Sequence, residues 1–239
     1  MRDPVQLCAE SYAGWHTSWL TSLGIPSQRS GGIWRALEPP PLIYLAGITL
    51  DPDVSTEQIA DAPGSVGDVW QTLALDRFGF RVWRTDPWFY RPPGPVEGGA
   101  PPELEIVRVR TPAEVVEFEL VSVRGFGTED ATIDPGTYHP PTVLDDDAMQ
   151  MFIGRVGGRA VAASMGYLLD DVVGVFGVAT VASARRRGYG SALTRAAMPP
   201  ETGLPAVLAP SDEGAGMYRA LGFEQVGALT IWTKGSPAP

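Results

Sequence analysis

The chain has 239 residues, enough for one large domain or two modest ones, and its 18 Lys+Arg against 28 Asp+Glu give a formal charge of −10. That balance argues against a general nucleic-acid or anionic-membrane binder, because phosphate binding draws on clustered positive charge. One cysteine (Cys8) and two histidines (His16, His139) rule out an internal disulfide and leave little material for a metal centre, while 44% hydrophobic residues beside 28 Gly and 23 Pro describe a globular chain rich in turns.

The opening MRDPVQLCAE lacks the apolar core of a secretory signal, and the longest apolar stretch, near 42–50, is far too short to span a bilayer. The expected location is therefore the cytoplasm. Abundant Ala, Gly, Pro and Arg beside few Lys fit a bacterial source. The first hundred residues hold six of the seven tryptophans. Tyr12, Trp15, Trp19 and Leu23 recur at helical spacing, and Gly24 and Pro26 end the pattern. PPPLIYLAGITLDPD reads as a strand bounded by prolines, VGDVWQTLALDRFGF as a short helix, and FRVWR as a strand. RPPGPVEGGAPPE, 91–103, has almost no apolar anchor and reads as a linker. The expected organisation is an accessory region over 1–90, a linker over 91–103 and a second domain over 104–239.

In that second region LEIVRVR alternates as a strand does. Thr111, Pro112 and Glu114 supply an N-cap, a proline at the first helical position and a glutamate at N3. Val115, Val116, Phe118, Leu120 and Val123 follow as the expected buried side, with Gly125 as a stop. Gly157-Gly158 between two apolar runs signals a hairpin, and 172–181 is a third strand. RRRGYGSALTRAAMPP then places a glycine-rich loop before a helix that Pro199-Pro200 ends. PAVLAPS is a short strand. Ser211 can cap a further helix stopped by Gly222, and FEQVGALTIWTKG closes the chain.

The loop is neither GxGxxG nor a Walker sequence. Its Arg185-x-x-Gly188-x-Gly190 pattern lies between a strand and a helix. Glycines there let the backbone approach a ligand closely, and free N–H groups at a helix start form an anion cradle to which Arg185, Arg186 and Arg187 add charge. A nucleotide-binding protein using this loop for ATP lacks its usual lysine.

Arg185-Arg186-Arg187-Gly188-Tyr189-Gly190, followed at 211–223 by SDEGAGMYRALGF with Tyr218 four residues before Gly222-Phe223, resembles the GCN5-related N-acetyltransferase (GNAT) superfamily. The resemblance covers about 104–234. It implies an α+β fold with a mixed, mostly antiparallel central sheet flanked by helices. It also implies acetyl-CoA as cosubstrate, held by Ala179, Thr180 and Val181, by Arg185, Arg186, Arg187, Gly188, Tyr189, Gly190 and Ser191, and by Ser211. Ala182, Ser183 and Ser211 depart from the family's commoner Pro, acidic residue and Asn.

The reaction so implied is direct transfer of an acetyl group to a primary amine on a small molecule or protein. Such transfer needs a donor to the thioester carbonyl, a neutral amine and a proton for the leaving thiolate. Backbone N–H groups near Ala179–Val181 are the expected carbonyl donors, Tyr218 the expected general acid, and Glu129 or Asp130 the candidate bases. A non-catalytic module that senses acyl-CoA or binds a partner is the competing reading. The chain is expected to act as a monomer or homodimer. VWQTLALDRFGFRVWR faintly echoes MYRALGFEQVGALTIW, so the N-terminal region reads either as a degenerate tandem copy without the glycine-rich loop or as a family-specific extension.

Overall fold

A computed structural model of the chain describes residues 2–199 and 203–234. The elements begin with α1 (Pro4–Ser22), β1 (Ser27–Ser30), β2 (Ile33–Ala36), β3 (Gly47–Thr49), α2 (Thr56–Ile59), β4 (Val66–Asp68) and β5 (Arg81–Arg91). They continue with β6 (Glu105–Arg108), α3 (Pro112–Phe126), β7 (Met149–Val156), β8 (Arg159–Leu168) and β9 (Val173–Thr180). The last are α4 (Tyr189–Ala196), β10 (Ala206–Leu208), α5 (Ala215–Ala220) and β11 (Glu224–Thr233). The chain divides into two compact units. One takes the described residues up to Tyr90, with Val207–Gly214 and the stretch from Glu224; the other takes Arg91–Ala206 and Ala215–Phe223.

In the first unit α1 starts where Asp3 accepts the Val5 N–H at 3.2 Å, with Pro4 in the first turn. Trp19 and Leu20 are fully buried, the Tyr12 ring meets Trp88 edge-on at 5.4 Å, and the Trp34 indole donates to Thr17 Oγ1 at 2.8 Å. The strand order is β1-β2-β3-β4-β11-β5, antiparallel except for the β3–β4 pair. Ile231 of β11 stands opposite Gly67 on one side and Arg84 on the other. Two local expectations change here. The helix expected at 66–80 is instead β4, a turn and a 3₁₀ turn at Leu75–Phe78. The buried Asp68 carboxylate accepts the Thr72 and Leu73 N–H groups at 3.1 and 3.0 Å, which diverts the backbone from a helix. The long strand expected around 42–50 shrinks to β3, because a turn closed by the Tyr44 N–H on Pro41 O precedes it.

In the second unit β6-β7-β8-β9 form an antiparallel sheet. Ala163 and Ala179 are paired and share a face, and Gly125 of α3 packs on Ala179, so α3 covers that face. Ser164 points the other way and its hydroxyl donates to Leu193 O at 2.9 Å, so α4 covers the opposite face. The capping box at Thr111 and Glu114 is present, and α3 runs to Phe126, past Gly125. Its buried side holds Val115, Phe118, Glu119, Val121 and Ser122, a stripe rotated from the expected one. Glu119 is fully buried because its carboxylate accepts three N–H groups, from Gly136 and Tyr138 at 2.7 Å and His139 at 2.9 Å. It fixes the segment between α3 and β7.

The two units part in sequence between Tyr90 and Arg91, and the closing strand β11 lies in the first unit, where it pairs with β4 and β5. The 91–103 stretch belongs to the second unit and is anchored there: the Arg91 guanidinium donates to Leu221 O at 3.0 Å and to the carbonyls of Pro92, Gly94 and Pro95. Proline and glycine content disguised these contacts, which run through a single cation and backbone carbonyls. Among the described residues no helix is long and apolar enough to cross a membrane.

Candidate functional site

The glycine-rich loop leaves β9 at Thr180, makes a 3₁₀ turn at Ala182–Ala184 and enters α4. Gly188 is the N-cap residue with φ +80°, a left-handed conformation in which a side chain is strained. Arg186 adopts φ +61°, a backbone state that non-glycine residues occupy chiefly where surrounding structure enforces it. The N–H groups of Tyr189, Gly190 and Ser191 stand in the first turn of α4, where a helix offers no internal acceptors. Arg186 and Arg187 are exposed and supply positive charge beside them.

Arg185 is bound to the backbone on both sides of the loop's start. Its guanidinium donates through Nε to Thr180 O at 3.1 Å and through Nη2 to Gly125 O at 3.0 Å. It staples the ends of β9 and α3 and thereby shapes the loop. Thr180 Oγ1 and Met217 Sδ lie 3.9 and 3.1 Å from where a Cβ on Gly190 would stand, so the space beside that glycine is already narrow.

Tyr218 lies in α5, 7% exposed, with its ring edge-on to Phe223 at 5.9 Å. Its phenol lies beside the Thr194 side chain, and the Thr194 hydroxyl donates to Gly190 O at 2.9 Å. Tyr218 is thus one side chain removed from the glycine-rich loop. Burial raises the phenol to about 12, so it holds its proton throughout the neutral range.

The backbone donors expected at Ala179–Val181 are partly spent. The Val181 N–H donates to Val161 O at 3.0 Å. A feature upstream was not anticipated: Met165 pairs with Phe176 and Ala163 with Ala179, so Ser164 alone opposes Gly177 and Val178. This is a β-bulge in β9, with Gly177 at φ +56° and its would-be Cβ position filled by Met165. The glycine inside an apolar strand, Val175-Phe176-Gly177-Val178, was the available signal.

Both acidic candidates are held in their ionised form by hydrogen bonds. Glu129 Oε1 accepts the Ser183 N–H at 2.8 Å and the Ser183 hydroxyl at 2.6 Å. These bonds hold its carboxyl below the usual range, and the Thr128 side chain does the same for Asp130. A carboxylate so stabilised accepts a proton poorly. Glu129 instead latches the segment after α3 to the start of the loop. Ser211 Oγ accepts the Gly214 N–H at 3.3 Å in the turn ahead of α5, which begins at Ala215. His139 is buried with its ring edge-on to Phe118 at 5.4 Å, a packing position.

Solved structures share this fold. A GCN5-related N-acetyltransferase from Kribbella flavida is 20% identical, with 94% of this chain and 95% of that one covered at a TM-score of 0.63. A putative GNAT acetyltransferase from Novosphingobium aromaticivorans is 21% identical over 93% and 99%, at 0.57. A functionally unknown conserved protein from Staphylococcus epidermidis is 13% identical over 89% and 95%, at 0.58. No curated protein sequence matches the chain. Residues 121–223, from the middle of α3 through Gly222-Phe223, match the model of the Acetyltransferase (GNAT) family. That span contains both sequence signatures, the Arg185–Gly190 loop and the Tyr218…Gly222-Phe223 stretch.

Proposed function

We propose that the protein transfers an acetyl group from acetyl-CoA to a primary amine, with Tyr218 as the acid. The observation that carries this reading is the place of α5 against the loop: Met217 Sδ lies 3.1 Å from the Cβ position of Gly190, and the protonated Tyr218 phenol is beside Thr194, whose hydroxyl donates to Gly190 O. The pyrophosphate would rest on the N–H groups of residues 188–191, with Arg186 and Arg187 adding charge. The bulge at Gly177–Val178 turns backbone donors out of regular pairing, a source for a hydrogen bond to the thioester carbonyl.

In the reaction the amine nitrogen attacks the thioester carbon, the C–N bond forms and the C–S bond breaks. The Tyr218 O–H delivers its proton to the leaving sulfur and is restored from solvent. The ammonium protons leave to water, since Glu129 and Asp130 are engaged elsewhere. The chain charge of −10 favours encounter with a cationic amine. From α1 to β5 the order helix, hairpin, strand, short helix, strand, 3₁₀ turn, strand parallels that from α3 to β11, apart from the extra 3₁₀ turns before β7 and α4 and the α-helix α5 in place of a 3₁₀ turn; on that likeness 1–90 is read as a degenerate copy without a cofactor loop.

Calorimetry with acetyl-CoA on the full chain tests the binding half, alongside Gly188→Val, which forces a β-branched side chain into a left-handed backbone. Wild-type binding and its loss in a folded G188V protein are expected. Free thiol release across a panel of amines tests the transfer half. A wild-type protein that does not bind acetyl-CoA refutes the reading. Binding without thiol release on any amine would favour an acyl-CoA sensor, a reading to which the engaged Glu129 lends weight.

A further inference from the structure

We infer that Glu103, acting through Tyr189, is a positioning residue for the cofactor loop, and that 98–103 is a brace laid along α4. The inference rests on the acetyl-CoA reading above. Helix α4 has 8 residues, too few for a helix to hold itself in water. Its N–H groups can bind an anion tightly only if they are fixed before the anion arrives. The brace touches the helix at both ends. Near the last turn the Arg195 guanidinium donates to Gly99 O at 2.8 Å and lies 3.3 Å from the Cβ position of Gly98. At the first turn the Pro101 ring stands 3.6 Å from the Cβ position of Gly188. The Tyr189 hydroxyl donates to Glu103 Oε1 at 2.9 Å.

The last contact is the one that fixes the cradle. Tyr189 is the first residue of α4, directly after the left-handed Gly188, and its ring is 1% exposed. The ring fixes where the side chain lies, and the hydrogen bond fixes its far end. Glu103 is itself held, because Glu105 two residues later is in register with Arg155 in the β6–β7 pair. The path from sheet to cradle is therefore β6, Glu103, Tyr189, Gly188. The Glu103 carboxyl is held below the usual range first by a backbone N–H and then by the Tyr189 hydroxyl, with the Arg187 charge adding least. A carboxylate beside an anion site repels the ligand, so charge alone gives it no reason to be there; its value lies in the bond to Tyr189.

Two full-length variants separate these effects. Tyr189→Phe keeps the buried ring and the Glu103 charge and removes only the hydrogen bond. Acetyl-CoA should bind about three- to tenfold more weakly, the scale of one ordinary hydrogen bond. Amide exchange at residues 188–191 should quicken while that of β8 is unchanged. Glu103→Gln keeps an oxygen acceptor for Tyr189 and removes the charge, so it should bind acetyl-CoA at least as tightly as wild type. Y189F with wild-type affinity and unchanged exchange overturns the inference while leaving the acetyl-CoA reading intact. E103Q weakened as much as Y189F overturns it too, since charge would then be what matters. A wild-type protein that fails to bind acetyl-CoA overturns both.

Discussion

Acidification should weaken the fold through two buried imidazoles, one in each unit. In an unfolded chain each titrates near 6.5; burial holds His16 neutral down to about 4 and His139 down to about 3. His16 is enclosed by aromatic rings, with Trp15 at 4.9 Å and Trp34 at 5.5 Å, and its Nδ1–H donates to Tyr12 O at 2.8 Å. Below pH 6.5 the unfolded state binds protons that the folded state refuses, so stability is full above that pH and falls as pH drops toward 4. Each histidine contributes a slope approaching about 1.4 kcal/mol per pH unit. Between about pH 7 and about pH 5 the loss is about 2 kcal/mol per histidine, or about 4 together. That is a large fraction of the roughly 5–15 kcal/mol that holds a typical domain folded. Urea unfolding followed by tryptophan fluorescence at the two pH values measures it. His139→Phe keeps an aromatic ring against Phe118 and should remove half of the acid sensitivity, and adding His16→Phe should remove most of the rest. A wild-type unfolding free energy constant within about 1 kcal/mol over that range would refute the reasoning, as would a double variant with undiminished sensitivity.

Tyr218→Phe should lower kcat by roughly 10²–10⁴-fold with acetyl-CoA affinity nearly unchanged, because it removes a proton donor and keeps the ring. Wild-type turnover with a lowered melting temperature would reduce Tyr218 to a packing residue. Glu119→Ala should cost about 3 kcal/mol or more in a urea melt, since three N–H groups lose their acceptor. A loss below about 1 kcal/mol would mean that the segment after α3 finds other partners.

Local signals carried much of the second unit. Thr111 and Glu114 announced α3, Gly157-Gly158 announced the β7–β8 turn, and the two motifs placed Tyr218 and the loop on the elements where they occur. The failures came where a distant partner decides local structure. Nothing near Arg185 in the sequence indicates that its charge goes to the carbonyls of Thr180 and Gly125. Glu119 looked like a polar interruption of an apolar helix until its three backbone donors, 17 to 20 residues on, came into view. Asp68 turned an expected helix into a strand end in the same way. Glu103 sat at the edge of a segment whose prolines and glycines suggested slack chain, and its partner is 86 residues away.

The place of β11 between β4 and β5 has a consequence for biosynthesis. A ribosome finishes both flanking strands early, then makes the whole of 92–223 before the strand that joins them. At ordinary rates of about 5–20 residues per second, that delay is on the order of ten seconds. Throughout it the nascent first unit presents two unpaired strand edges around a gap, including the apolar Val66 and the alternating Val82 and Arg84. Completion must wait until residues 224–233 have left the ribosome, so this unit is expected to lean on chaperones in the interval. Ribosomes stalled just before residue 224 should accordingly carry a first unit far more open to protease than the released protein.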